Sequence, residues 1–264
     1  MGGEYLIMDD LNKEKEVAIK ISHLNKSYSH RQVLFDIDLE IYKGELFGFI
    51  GKNGVGKSTT IECLIGAKTF DSGDIFLNGI DCKKYPLDVK KIIGYVASEP
   101  VCYEDMKGSD FLEFIASIYK VNAQTYISNL NFLLDKLEFD EKDLYRRIAE
   151  YSHGMKQKIC LMASLIHNPK IWILDEPTVG LDPMTSNELS ILMKDYVKHG
   201  NTIFIASHNI DLVSKLCDRV AIIKDGKIVN IFDLKNNPIL RNKIGPYFLN
   251  LYKKDEKLWF IHYF

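Results

Sequence analysis

The residues with the clearest chemistry form one short run, Gly51-Lys52-Asn53-Gly54-Val55-Gly56-Lys57-Ser58, which fits GxxxxGK[ST]. Glycines let the main chain curl so that its N–H groups converge on phosphate oxygens, and a helix opening at the end of the run adds the positive end of its dipole. In that setting Gly51, Asn53, Gly54, Gly56 and Thr59 are the candidates for nucleotide contact, Lys57 neutralises the β- and γ-phosphates, and Ser58 ligates Mg²⁺. A second constellation closes the apolar run Ile171-Trp172-Ile173-Leu174, which ends in Asp175-Glu176. Ligands of open α/β sheets sit at the carboxyl ends of strands. Asp175 is therefore expected to face the metal through water, and Glu176 to stand beside an attacking water as general base. Alone, an acidic pair at a strand end is ordinarily a solvated loop. Combined with the phosphate loop, it points to phosphoryl transfer to water.

These groups need a scaffold, and the apolar pattern supplies one. Val17 to Ile21 alternates like a strand, and further strands are expected near 35–41 and 45–50. The glycine run follows, then a helix from Lys57 to about Gly66, then strands near Ile75 and Tyr95. From Ser109 to Asn168 the apolar positions (Phe111, Leu112, Ile115, Ile118, Tyr119) fall at helical spacing. Beyond Lys170 the short apolar runs 171–174, 203–206 and 220–223 alternate with helical segments, the mark of parallel strands buried on both faces. Asp225-Gly226 reads as a hairpin turn. The fold class is α/β.

Composition narrows the function further. The 264 residues carry a formal net charge of −2, are 46% hydrophobic and 27% charged, and so describe an ordinary globular protein without the basic field a nucleic-acid binder needs. No apolar run approaches the roughly 18 residues of a membrane span. The N-terminus holds Asp9, Asp10, Glu14 and Glu16 and no signal-peptide core, which predicts a cytoplasmic chain with residues 1–16 flexible. The five cysteines form no metal-spaced pair and read as reduced, small hydrophobes. The last eighteen residues contain seven aromatics, Tyr247, Phe248, Tyr252, Trp259, Phe260, Tyr263 and Phe264. Two readings stand for them, a tail packed on its own domain or an exposed patch that meets a partner.

Five more segments occur in a telling order: Tyr28 in LNKSY, Ala97-Ser98-Glu99 after a strand, Tyr151-Ser152-His153-Gly154-Met155, Gly180-Leu181-Asp182, and His208 in Ala206-Ser207-His208. With the two constellations above, the chain from about Val17 to Ile231 resembles the nucleotide-binding subunit of an ABC transporter. The resemblance implies a RecA-like P-loop NTPase core, an N-terminal antiparallel β subdomain and an inserted α-helical subdomain at about 101–168. The whole nucleotide-binding domain would span 17–240, followed by an aromatic-rich tail, 241–264.

It further implies that ATP and Mg²⁺ are bound, that Tyr28 stacks on adenine, and that His208 touches the γ-phosphate and water. Ser152 and Gly154 would cap the γ-phosphate held by a second nucleotide-binding subunit, in a head-to-tail homo- or heterodimer with Asp182 at the interface. An integral membrane permease on a separate chain would hold the protein on the inner face of the membrane. Segments such as SEPVCYEDM and YSHGMKQK resemble exporter subunits for drugs, peptides or bacteriocins, and the chain ends soon after its last expected strand, so export is the expected direction.

Two departures from the family pattern stand out. Where the family has a glutamine that contacts Mg²⁺, this chain has Ala97-Ser98-Glu99; Ser98 is too short to mimic it, so either Glu99 substitutes as a metal contact or the contact is lost. His153 and Met155 replace a glycine and a glutamine of the signature, changes expected to alter rate. The competing readings are weaker. A soluble family member acting on ribosomes or nucleic acid usually carries two cassettes or long coiled coils, a non-hydrolysing module would not need Glu176 and His208, and Asn25-Lys26-Ser27-Tyr28 lacks the aspartate of guanine recognition.

Overall fold

The computed structural model describes residues 15–29 and 31–261, with side chains through Lys253. Residues 1–14, the side chains of Trp259 and Phe260, and all of Tyr263 and Phe264 lie outside the described residues, and with them part of the expectations for both termini.

The described residues begin with a β-hairpin, β1 (Val17–Tyr28) and β2 (Arg31–Tyr42), followed by β3 (Leu46–Ile50) and α1 (Lys57–Leu64). Next come β4 (Ser72–Leu77), β5 (Ile80–Asp81), α2 (Pro86–Ile92) and β6 (Ile93–Val96). The helical block resolves into α3 (Gly108–Ile118), α4 (Ala123–Lys136) and α5 (His153–Leu165). The remainder alternates: β7 (Ile171–Asp175), α6 (Pro183–Lys198), β8 (Thr202–Ser207), α7 (Ile210–Leu216), β9 (Arg219–Lys224), β10 (Lys227–Asp233) and α8 (Arg241–Ile261). Asp225-Gly226 makes the turn between β9 and β10, as its residue types require.

Two sheets result. The smaller is antiparallel, in the order β2-β1-β4-β5; the larger runs β10-β9-β3-β8-β7-β6 and is parallel except for β10. Every residue of β3, β7 and β8 is buried. Their alternation sorts the core into two layers, because successive strand residues point to opposite faces. Phe47, Phe49, Ile171, Ile173 and Phe204 join the core shared with the antiparallel sheet and α1. Leu46, Ile50, Trp172, Leu174, Ile203 and Ile205 join the core under α5, α6, α7 and α8. Trp172 is fully buried, and its indole N–H donates to Ser164 Oγ on α5 at 3.0 Å, so that the one polar atom of the ring has a partner.

Local chemistry sets the helix starts. Ser152 caps α5 by accepting from Met155 N, and Asp182 caps α6 by accepting from Met184 N and Thr185 N ahead of Pro183. Of the described aromatics of the C-terminal segment, Phe248 and Tyr252 are buried in the chain's own core, while Tyr247 is exposed and stands edge-on to Phe232 at 5.2 Å.

Candidate active site

The fully buried strand β3 delivers the glycine run to the carboxyl edge of the large sheet, and α1 begins at Lys57. Gly56 sits at φ 113, and a β-carbon there would fall 2.6 Å from Leu34 Cδ2, so the position excludes side chains by conformation and by space. The Lys57 side chain folds back under the loop and is only 5% exposed. Its Nζ donates to Gly51 O at 2.9 Å and Lys52 O at 3.3 Å, and lies 3.4 Å from Glu176 Oε1.

Asp175 and Glu176 leave the end of β7 in different directions. Asp175 is buried, and its Oδ1 has no hydrogen-bond partner. Burial raises its pKa, reinforced by the charge of Glu176 and opposed by a hydrogen bond from Ser58 and the charge of Lys57. Glu176 takes a left-handed conformation, φ 48, while its N–H donates to Ala206 O at 2.8 Å, so the strained turn is pinned to the neighbouring strand. One carboxylate oxygen accepts from Ser207 Oγ at 2.8 Å and from His208 N at 3.1 Å. The other lies 2.9 Å from His208 Nδ1. Burial pushes the Glu176 pKa up, but the donors from His208 and Ser207 and the Lys57 charge outweigh it and hold the group below its ordinary value. The carboxylate is thereby kept ionised, as a general base requires.

A cavity of about 410 Å³ lies between these walls, within the range of ligand-sized clefts. Asn53, Gly54, Gly56, Lys57, Ser58 and Thr59 form one side, and Ser98, Glu99, Glu176 and His208 the other. Gly51 lies at the base of the loop, and Asp175 reaches the site through Ser58. Tyr28 is the last residue of β1. Its ring is partly exposed and its Oη donates to Glu62 Oε2 on α1 at 3.3 Å, at the same helix that carries Lys57 and Ser58. A buried carboxylate oxygen without a partner, beside a serine hydroxyl and a glycine loop, is the donor set of a hard, oxygen-seeking divalent cation such as Mg²⁺ bound with phosphates.

Ser152, Gly154 and Asp182 do not line this cavity. They lie together elsewhere on the chain: a β-carbon at Gly180, which has φ 75, would be 2.6 Å from His153 Nε2, so the start of α5 touches the turn before Asp182. Two contributors carry no signal of their own in the sequence. Ser207 is a plain strand-end serine until the fold brings Glu176 against it. Gln157, fully buried on α5, donates to Pro177 O at 3.5 Å and ties that helix to the residue after Glu176.

Comparison with known proteins identifies the family. Residues 34–179 match the ABC transporter family. The chain is 35% identical over 234 residues to the lantibiotic transport ATP-binding protein SrtF of Streptococcus pyogenes, covering 85% of this chain and 99% of that one. It is 32% identical over 212 residues to the bacitracin transport ATP-binding protein BcrA of Bacillus licheniformis, covering 80% and 68%. Among solved structures, the ATP-binding subunit of an ABC transporter superposes with a TM-score of 0.79 at 29% identity, over 86% of this chain and 93% of that one. CbiO1 of Clostridium perfringens, part of the transporter complex cbiONQ, superposes with a TM-score of 0.76 at 28% identity, over 92% and 99%.

Proposed function

The chain belongs to the ABC transporter family as an ATP-binding, ATP-hydrolysing subunit, and from that premise we propose that the cavity between the glycine loop and Glu176 binds Mg-ATP and hydrolyses it. The observation that carries the assignment is the Glu176 carboxylate, held ionised by Ser207, His208 and Lys57 on the wall facing the phosphate loop.

In this reading the loop N–H groups and the Lys57 ammonium bind the phosphates, and Tyr28 stacks on the adenine. Ser58 and Asp175 hold Mg²⁺, with Glu99 in reach of the same cavity wall. Mg²⁺, when bound, neutralises charge on the β- and γ-phosphates. Glu176 accepts the proton of a water whose oxygen bonds the γ-phosphorus as the bridging P–O bond breaks, giving ADP and inorganic phosphate. His208 orients that water and the Glu176 carboxylate together. Positioning and electrostatics do nearly all of this work.

Ser152 and Gly154 stand outside the cavity at the start of α5, where a helix N-terminus and a hydroxyl favour an anion. They are assigned to the γ-phosphate of a second nucleotide-binding subunit in a head-to-tail pair, with Asp182 at the contact. The family implies a membrane permease as partner. No helix among the described residues is long and apolar enough to cross a membrane. That supports a permease on a separate chain and a peripheral place on the inner face of the membrane. Export is the direction favoured by the segments quoted above and by relatives named for lantibiotic and bacitracin transport. A ribosome- or nucleic-acid-directed ATPase is not favoured, since the relatives named above are transport proteins.

The test is to tag Glu176→Gln, purify it in mild detergent from the cells that make it, and identify its companions by mass spectrometry. A polytopic membrane protein in stoichiometric amount supports the assignment. Ribosomal proteins, or no membrane protein, overturn it.

A further inference from the structure

One peptide unit of the phosphate loop is held from both sides, and one of the holds comes from the far end of the chain. The Gly51 carbonyl accepts from Lys57 Nζ at 2.9 Å. The N–H of the same peptide unit, carried by Lys52, donates to Tyr252 Oη of α8 in a long hydrogen bond of 3.4 Å. Tyr252 Oη itself donates to Ile223 O of β9 at 3.2 Å. The Lys52 ammonium lies 4.5 Å from the centre of the Tyr252 ring, within cation–π range. Lys224, also on β9, donates to Leu251 O at 3.1 Å, so α8 is bonded to the sheet beside the contact. The tyrosine is 7% exposed, with Phe248 packed on it at 4.8 Å.

The geometry points to Tyr252 as a positioning residue for phosphate binding, through which α8 latches the Gly51–Lys52 peptide so that its carbonyl holds the Lys57 ammonium at the cavity floor. The inference rests on the reading of that cavity as the ATP site. A peptide plane between a glycine and its neighbour turns readily, because glycine imposes no β-carbon constraint. Turning it would carry the acceptor of Lys57 away and point an N–H at the ammonium instead. Tyr252 opposes that motion, accepting the N–H with its oxygen and attracting the Lys52 side chain with its ring face. The Lys52 N–H faces α8, so the latch leaves the N–H groups of Gly54 to Ser58 to the phosphates. Phe248 extends the same contact to the rim, where it lines a hollow with Lys52, Asn53 and His208. The aromatic C-terminal segment thus gains a role in nucleotide affinity that its sequence does not announce.

The test compares wild type, Tyr252→Phe, Tyr247→Leu and Lys57→Ala as full chains, by Mg-ATP titration, steady-state hydrolysis, thermal unfolding and hydrogen exchange of the loop. Tyr252→Phe keeps the ring and removes only the oxygen. It is expected to raise Kd and KM for Mg-ATP about three- to tenfold, the effect of one hydrogen bond. Its kcat at saturating ATP should stay unchanged, as loss of binding shared equally by the ground and transition states demands, and exchange at residues 51–56 should quicken. Tyr247→Leu disturbs the same helix against Phe232 and should lower Tm without changing KM. Wild-type Kd and loop exchange in Tyr252→Phe would overturn the latch, as would a joint fall of kcat and Tm at constant KM. If Lys57→Ala loses ATP and Tyr252→Phe does not, the latch alone fails; if wild type binds no ATP, the reading of the cavity fails and takes the latch with it.

Discussion

The Lys57 ammonium and the Glu176 carboxylate lie 3.4 Å apart, one 5% and the other 12% exposed, at the point where the phosphate loop meets the end of β7. Each charge is shielded from water by the fold and compensated by the other. Removing one leaves its partner buried with its remaining hydrogen bonds but without the opposite charge beside it, which is destabilising.

Lys57→Ala is accordingly expected to lose ATP affinity by more than tenfold and to lower the melting temperature. The double variant Lys57→Ala/Glu176→Gln should recover part of that stability, with a coupling of about 1 kcal/mol or more. A double-mutant cycle by thermal unfolding reads it directly.

Asp175→Asn should stabilise the chain in metal-free buffer while abolishing hydrolysis. Burial raises the Asp175 pKa, so the ionised form is disfavoured in the fold. The penalty is absent at pH below the ordinary carboxylate value, about 4, grows as pH rises through the raised folded value, and is complete above it. The variant should therefore melt a few degrees higher near neutrality, each kcal/mol being worth roughly 2–4 °C in a chain of this size. The difference should vanish as acid is added, which Tm measured across pH will show.

Ser207→Ala should move the acidic limb of the hydrolysis profile to higher pH. The Ser207 hydroxyl is one of the donors that hold Glu176 below its ordinary value, against burial, so in wild type the base stays charged until pH falls below the ordinary carboxylate range. Without that donor its pKa rises. The stability Glu176 gives the fold, present above the ordinary value and lost as pH falls through the lowered one, should shrink in parallel. Rate against pH, with Tm alongside, separates this from general loss of structure.

Gly180→Ala meets both a left-handed backbone, φ 75, and the His153 ring, 2.6 Å from the new methyl. It should destabilise by about 1–2 kcal/mol, part of which is backbone strain. Adding His153→Gly should restore only the steric part. Thermal unfolding of the two single variants and the double gives the partition.

The parts of the site that were legible in the sequence are those whose residues are neighbours in the chain. Gly51 to Ser58 and Asp175-Glu176 declare themselves because a strand end, a turn and a helix start follow one another within each segment. The buried strands β7 and β8 were readable from the apolar runs 171–174 and 203–206. What stayed hidden is made of contacts between distant segments. Ser207 on Glu176, Gln157 on Pro177, His153 on Gly180 and Tyr252 on Lys52 join residues that no local pattern pairs. The strand expected from 17–21 runs on to Tyr28, because pairing with Arg31 extends β1 beyond the alternating stretch.

The central claim is that Glu176 is the base of ATP hydrolysis at this loop, and the most direct measurement is steady-state hydrolysis and Mg-ATP binding on wild type and Glu176→Gln side by side. The account predicts that the variant still binds Mg-ATP while turnover falls at least about a hundredfold, the scale of a lost general base. Turnover undiminished in Glu176→Gln, with binding intact, would contradict it.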